Sequence, residues 1–302
     1  MTDNEQLPQP QQSDGATQLT RRKVVVAGTG AVAALGLGGT FAARAVAGER
    51  NPAEPEPRDA CYTLTSELVE GPYYIDADKL RRDVTEDQEG IPLHLTLKVI
   101  DAETCKPLRN AAVDIWHCNA SGVYSGYEAV GSGGGGTPPT GMPTDAPTGA
   151  PTDAPTGPPP GGGGGHQEPT DDTRYLRGTW HTDRHGQVAF RTVFPGWYQG
   201  RCVHIHVKVH VDGEWTDAGY EGGHTCHTGQ LFFDERSVLL SAEVEPYASN
   251  TTTRTTLDED TIYPDNGPEG GLLHLSYDRH HIARGVRGRL TLGVEPDTTN
   301  DG

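Results

Sequence analysis

Pro195-Gly-Trp-Tyr-Gln-Gly-Arg-Cys-Val-His-Ile-His-Val-Lys-Val209 decides how this chain is read. From Val203 to Val211 valine is abundant and residue character alternates, so the stretch predicts a β-strand. Successive side chains of a strand point to opposite faces, which places His204 and His206 together on one face. Their Cα atoms are then about 7 Å apart, within reach of one metal ion. A His-x-His pair alone reads equally as a polar or packed pair, so its surroundings decide. Tyr198 follows the Pro195-Gly196 turn, which aims it at the mouth of the strand, and Arg201 lies between.

Working outward, Ile91 to Ile100 alternates at Leu93, Leu95, Leu97 and Val99 and predicts a half-buried strand. Further strands are expected at Ala111–His117, Thr179–Thr182, Gln187–Thr192, Leu231–Phe233 and Arg287–Val294. Asp183-Arg-His-Gly186 reads as a hairpin turn, and residues 235–246 as one short helix. Many short strands with Gly, Pro and Asp at the turns predict an all-β fold. The expected form is a β-sandwich of mostly antiparallel strands with long loops and little helix.

Three segments stand outside that core. Residues 1–47 contain Thr20-Arg-Arg-Lys23, an apolar run rich in Ala and Gly, and Ala45-Val-Ala47. This resembles a twin-arginine export signal with a small-residue cleavage site. The expected partner is the corresponding export machinery, and the expected location is the cell envelope or the outside. Residues 48–58 read as a Pro- and Glu-rich tether. Residues 131–165 hold 13 glycines and 9 prolines and cannot build a core, so they read as a disordered insert. The folded domain is thus expected over residues 59–296, with a tail at 297–302.

Net charge is −18, from 24 basic and 42 acidic side chains, which argues against nucleic acid and anionic membranes as partners. Five cysteines occur, at 61, 105, 118, 202 and 226, without a Cys-x-x-Cys pair, so a zinc ribbon is not indicated. In an exported protein some can pair, and the odd number leaves at least one thiol over. Cys105 and Cys118 flank one strand and are not expected to pair with each other.

Two tyrosines complete a candidate ligand set. Tyr124 closes Trp116-His-Cys-Asn-Ala-Ser-Gly-Val-Tyr124, and Tyr198 precedes the histidines. A phenol, with a pKa near 10, is a poor ligand for Zn(II) or Fe(II) at neutral pH. Fe(III) is hard and acidic enough to hold phenolate, so two tyrosines with two histidines select Fe(III). Such a site carries a net charge near +1 and suits an anionic, bidentate ligand.

Trp116–Tyr127 and Phe190–His206, with Glu70-Gly-Pro-Tyr-Tyr74 and His227-Thr-Gly-Gln-Leu-Phe-Phe233, resemble the intradiol ring-cleavage dioxygenases of the catechol and protocatechuate type. The resemblance runs from about Cys61 to Val294, broken by the insert. It implies a β-sandwich enzyme with one Fe(III) per chain, held by Tyr124, Tyr198, His204 and His206. It implies that Tyr198 is displaced when substrate binds, that Arg201 offsets charge at the ring, and that Gln230 lies beside the substrate. Tyr73 or Tyr74 would line the pocket. The implied reaction uses O2 to open a catechol between its two hydroxylated carbons, giving a cis,cis-muconate. The short Tyr198–His204 connection implies a more open pocket wall.

Two other classes compete. An exported β-sandwich ligand-binding module would use these residues only for packing. A zinc hydrolase built on His204 and His206 would need a third ligand and a carboxylate base, and the stretch from Tyr198 to Val211 contains no Asp or Glu.

Overall fold

Leu93, Leu95, Leu97 and Val99 line one side of the first strand, β1 (Pro92–Asp101), and all four are fully buried. The computed structural model describes residues 61–76, 79–131, 167–217, 219–263 and 271–300. The expected leader, the tether and all but the first residue of the 131–165 insert lie outside these residues. After β1 come β2 (Ala112–Trp116), β3 (Arg177–His181), β4 (Gln187–Val193), β5 (His204–Val211), β6 (Glu214–Trp215) and β7 (Tyr220–Glu221). Then follow β8 (His224–Phe232), α1 (Glu235–Ser241), β9 (His274–Tyr277) and β10 (Val286–Val294).

The strands form two four-stranded sheets, ordered β4-β1-β10-β9 and β3-β2-β5-β8, and a small ribbon β6-β7. Neighbours pair antiparallel except β1 and β10, which run parallel with Leu93 beside Val286. This is the all-β sandwich that the alternation predicts. One core cluster joins Leu93, Leu95 and Leu97 of the first sheet to Val113, Ile115, Ile205, Val207 and Val209 of the second. Each such side chain contributes roughly 1.5–3 kcal/mol of burial free energy, set against the chain entropy lost on folding.

The second sheet is unusual in being covered on both faces. β2 is buried at all five positions, and β5 alternates Ile205, Val207 and Val209 inward with His204, His206 and Lys208 outward, all six buried. Residues 61–76 and the loops after β2 provide the outer cover: Leu68 N–H donates to the Thr228 carbonyl (2.9 Å), and Gln167 N–H to that of Pro72 (3.1 Å). Water is thereby removed from a polar face.

Some expectations need correction. β8 starts at His224, not Leu231, because its polar residues are buried under the N-terminal segment. There Glu67 accepts from Thr228 N–H at 2.8 Å and meets His227 Nδ1 at 2.5 Å. α1 stops at Ser241, short of residue 246. Its start is capped by Asp234, which accepts from Ser237 N–H (2.9 Å), and beyond its end Pro246 disfavours helical backbone at Glu245. β9 and the β6-β7 ribbon were not foreseen. Cys61 is bonded to Cys105, with Cα atoms 5.6 Å apart, while Cys118, Cys202 and Cys226 are buried free thiols.

His117, just past β2, ties the two sheets together. Its Nδ1–H donates to the Cys118 carbonyl (2.7 Å), so Nε2 accepts from the Thr192 hydroxyl of β4 (2.7 Å). Burial pulls its pKa down from 6.5 to about 4. Below pH 6.5 the unfolded chain binds a proton that the folded chain refuses, so stability falls as pH drops towards 4. His117 alone accounts for a loss on the order of 2 kcal/mol at pH 5. Urea unfolding at pH 7 and pH 5 should show wild type losing more stability than His117→Gln. Equal losses would remove His117 from this account.

Candidate metal centre

The outer face of the second sheet is organised in cross-strand rows. His206 lies between Trp116 of β2 and Gln230 of β8, and His204 lies beside Phe232. The Trp116 and His206 rings stack at 4.8 Å and 8°, which fixes the plane of the imidazole. Gly71, at φ +80, comes so close that an added Cβ would sit 3.2 Å from His206 Cε1.

His204 Nδ1 is 2.7 Å from the Cys202 carbonyl, which can only accept, so the ring proton is on Nδ1 and the Nε2 lone pair points into the site. Around that nitrogen lie His206 Nε2 at 3.1 Å, Tyr198 Oη at 3.3 Å and Tyr124 Oη at 3.5 Å. All four side chains expected as ligands therefore meet at one point. One lone pair accepts one good hydrogen bond, so three polar atoms crowding it are poorly satisfied by protons alone. The His206 Nδ1 is buried and has no hydrogen-bond partner among the described residues. A cation shared by two imidazole nitrogens and two phenol oxygens answers this arrangement, and the donor set fits Fe(III) for the reasons of hardness given above. Among the described residues no group of three or more His, Cys, Asp or Glu is placed to hold a metal.

Burial sets the protonation states. Loss of hydration raises the Tyr124 hydroxyl well above 10, with neighbouring Tyr198 adding to the shift, and it raises Tyr198 as well. Loss of hydration, then the Arg201 charge, lowers His204 to about 3; His206 is lowered too, by burial and by His204. Without a cation the phenols keep their protons and the imidazoles stay neutral.

Arg201 and Gln230 are brought together at the edge of this cluster: Arg201 Nη2 donates to Gln230 Oε1, and Gln230 Nε2 donates to the Val69 carbonyl at 3.0 Å. Tyr73 and Tyr74 separate. Tyr73 stacks on Tyr124 at 4.8 Å, at the centre itself. Tyr74 turns to the far side of Trp116, under Lys208 Nζ at 4.6 Å. It helps line a cavity of about 520 Å³ with Asp114, Lys208 and His210. Burial holds the Asp114 carboxyl up at about 7.

Sequence reasoning missed the buried Glu70–Lys208 ion pair, which anchors the residue before Gly71. Lys208 continues the His204, His206 period, so the strand pattern carried its signal. It also missed Asp260, which bonds to Arg201 Nε at 2.9 Å from an irregular segment with no periodic signal.

Fold and site define a class of protein: an all-β sandwich with a buried two-histidine, two-tyrosine centre on the covered outer face of one sheet. A family model described as dioxygenase matches residues 69–132, the stretch that includes Tyr73 and Tyr124. Catechol 1,2-dioxygenase from Acinetobacter baylyi is 38% identical over 72 residues, 22% of this chain and 23% of that protein. The match therefore spans about a quarter of that curated relative. The solved intradiol ring-cleavage dioxygenase from Tetranychus urticae is 30% identical with a TM-score of 0.60, covering 79% of this chain and 98% of its own. A second solved dioxygenase is also 30% identical with a TM-score of 0.60, over 80% of this chain and 98% of its own. The chain belongs to the intradiol ring-cleavage dioxygenases, a family of oxidoreductases.

Proposed function

We propose that this protein is a mononuclear non-haem Fe(III) dioxygenase that opens catecholic rings between the two hydroxylated carbons. The convergence of His206 Nε2, Tyr198 Oη and Tyr124 Oη on His204 Nε2 carries this reading. His204, His206, Tyr124 and Tyr198 would hold the metal. Fe(III), when bound, supplies the Lewis acidity that lets phenolates and a catecholate persist at neutral pH and primes the ring for O2. Both oxygen atoms enter the product, a cis,cis-muconate.

The chain's own groups have separable tasks. Tyr198 is the base we assign to a substrate hydroxyl proton: it opens the turn at Gln199–Gly200 rather than following one at Pro195-Gly196, and it is the more exposed of the two tyrosines, at 9% against 3% for Tyr124. His204 is held by the Cys202 carbonyl and His206 by the Trp116 ring, so neither need reorganise. Arg201 faces the negative charge that builds on the opening ring. Gln230 steadies Arg201, and Tyr73 offers an aromatic wall.

The test is a visible spectrum of the purified protein, before and after anaerobic addition of catechol, followed by oxygen uptake. A coloured protein whose band shifts on addition and which then consumes O2 is expected. Tyr198→Phe should keep iron and lose roughly 10²–10⁴-fold in kcat. A colourless, iron-free wild type that still binds catechol would favour the binding-module reading instead. Export by the twin-arginine route remains part of this proposal, motivated by Arg21-Arg22 and the apolar run that follows. Exported protein that retains residues 1–47 would count against the cleavage expected after Ala47.

A further inference from the structure

Asp260 is fully enclosed and saturated with donors. Its Oδ2 accepts from Arg201 Nε (2.9 Å) and Cys202 N–H (2.8 Å), and its Oδ1 from Ile262 N–H (2.8 Å) and Tyr263 N–H (3.0 Å). The turn that presents it is itself fastened. Thr256 and Glu259 form a reciprocal cap, and Glu235 of α1 accepts from Leu257 N–H (2.8 Å) and binds Arg254 (2.7 Å). A carboxylate with this many partners on a braced turn is a fixed anchor.

We infer that Asp260 is a positioning residue for ring cleavage, acting through Arg201; this rests on the proposed function above. An unrestrained arginine samples many rotamers, and a group that must meet developing charge works best when already oriented. Here the guanidinium is held from two directions. Asp260 takes Nε–H, and Gln230 Oε1 takes Nη2. Among the described residues no partner takes Nη1. Three of its five N–H donors, both on Nη1 and the second on Nη2, are therefore left for a ligand. Asp260 also balances the Arg201 charge in the resting site, so a partly buried cation can stand ready without a substrate anion beside it. Its own position next to Cys202 links the clamp to the chain leading into His204.

The test is a double-mutant cycle in the full, iron-loaded chain: wild type, Asp260→Asn, Arg201→Gln and the double variant, with kcat and KM for catechol measured separately. Asparagine keeps the shape but turns an amide N–H₂ towards N–H donors. Asp260→Asn should lower kcat about 10- to 100-fold with the iron-tyrosinate band unchanged. In the Arg201→Gln background it should add less than about twofold. Equal fold losses in both backgrounds would overturn the role. A second readout needs no metal: Arg201 Nε–H exchange by NMR in the metal-free chain, slow in wild type and at least tenfold faster in Asp260→Asn. Equal exchange rates would also overturn it. A colourless wild type without oxygen uptake, by contrast, would overturn the dioxygenase reading and with it the catalytic meaning of the clamp.

Discussion

Replacing His204 with alanine is expected to abolish bound iron and visible colour and to lower kcat/KM for catechol by at least about 10³-fold, roughly 4 kcal/mol of lost transition-state stabilisation. The other three donors are organised around its Nε2, at 3.1, 3.3 and 3.5 Å. Without that nitrogen, too few ligands remain to hold two phenols in their ionised form, and burial drives both back to the protonated state. The fold should survive, because His204 projects from the outer face of β5 while Ile205 and Val207 hold the strand to the core. Iron content per chain, absorbance and a thermal melt are the measurements. A His204→Ala protein with stoichiometric iron and wild-type colour would refute the assignment of this centre.

The second large effect is expected at Gly196, two residues before Tyr198 in the chain. A Cβ there would lie 2.2 Å from the Ala120 carbonyl oxygen, 2.5 Å from its carbon and 2.6 Å from the Asn119 oxygen. These are backbone atoms, so no side-chain rotation relieves the clash, and the two loops must part. One loop is the turn in which Asn119 Oδ1 accepts from Ser121 and Val123 N–H, both at 3.0 Å, and it delivers Tyr124. The other is Pro195–Tyr198, joined to the first where Gly196 N–H donates to the Asn119 carbonyl at 3.1 Å. Gly196→Ala should thus cost about 3 kcal/mol by overpacking and move both phenols. Urea unfolding should show the loss, and the iron-tyrosinate band should shift or vanish. Wild-type stability together with a wild-type band would show that the loops do not depend on this contact.

Much of the architecture was legible because one physical pattern carries it. β1, β4, β5 and β10 alternate, since each packs one face into the core between the sheets. β8 was only half legible, because the polar residues that resemble loop in sequence are buried by a second layer, which alternation does not anticipate. β9 and the ribbon are too short to show a period. At the site, His204 and His206 follow from strand geometry, whereas Tyr124 and Tyr198 are candidates by ligand chemistry and by the motif resemblance, and the structure brings all four to the same point. Adjacent residues in extended chain face opposite ways, so only one of Tyr73 and Tyr74 could line the centre; which one depends on how the segment is docked. Asp260 gave no signal because its partner lies 59 positions away, and the pairing exists only in the fold.

The parallel register of β1 with β10 has a kinetic meaning. The first strand of the sandwich takes its neighbour from the last, Leu93 beside Val286 and Asp101 beside Val294. During synthesis β1 and β4 can pair early, but the far edge of β1 stays open until the end of the domain has left the ribosome. Contacts this distant in sequence close large loops and belong to slowly folding topologies. The sandwich therefore completes its first sheet only after nearly all of it has been made, and a chain cut short before Val286 carries a bare, apolar strand edge of the kind that invites association with other copies.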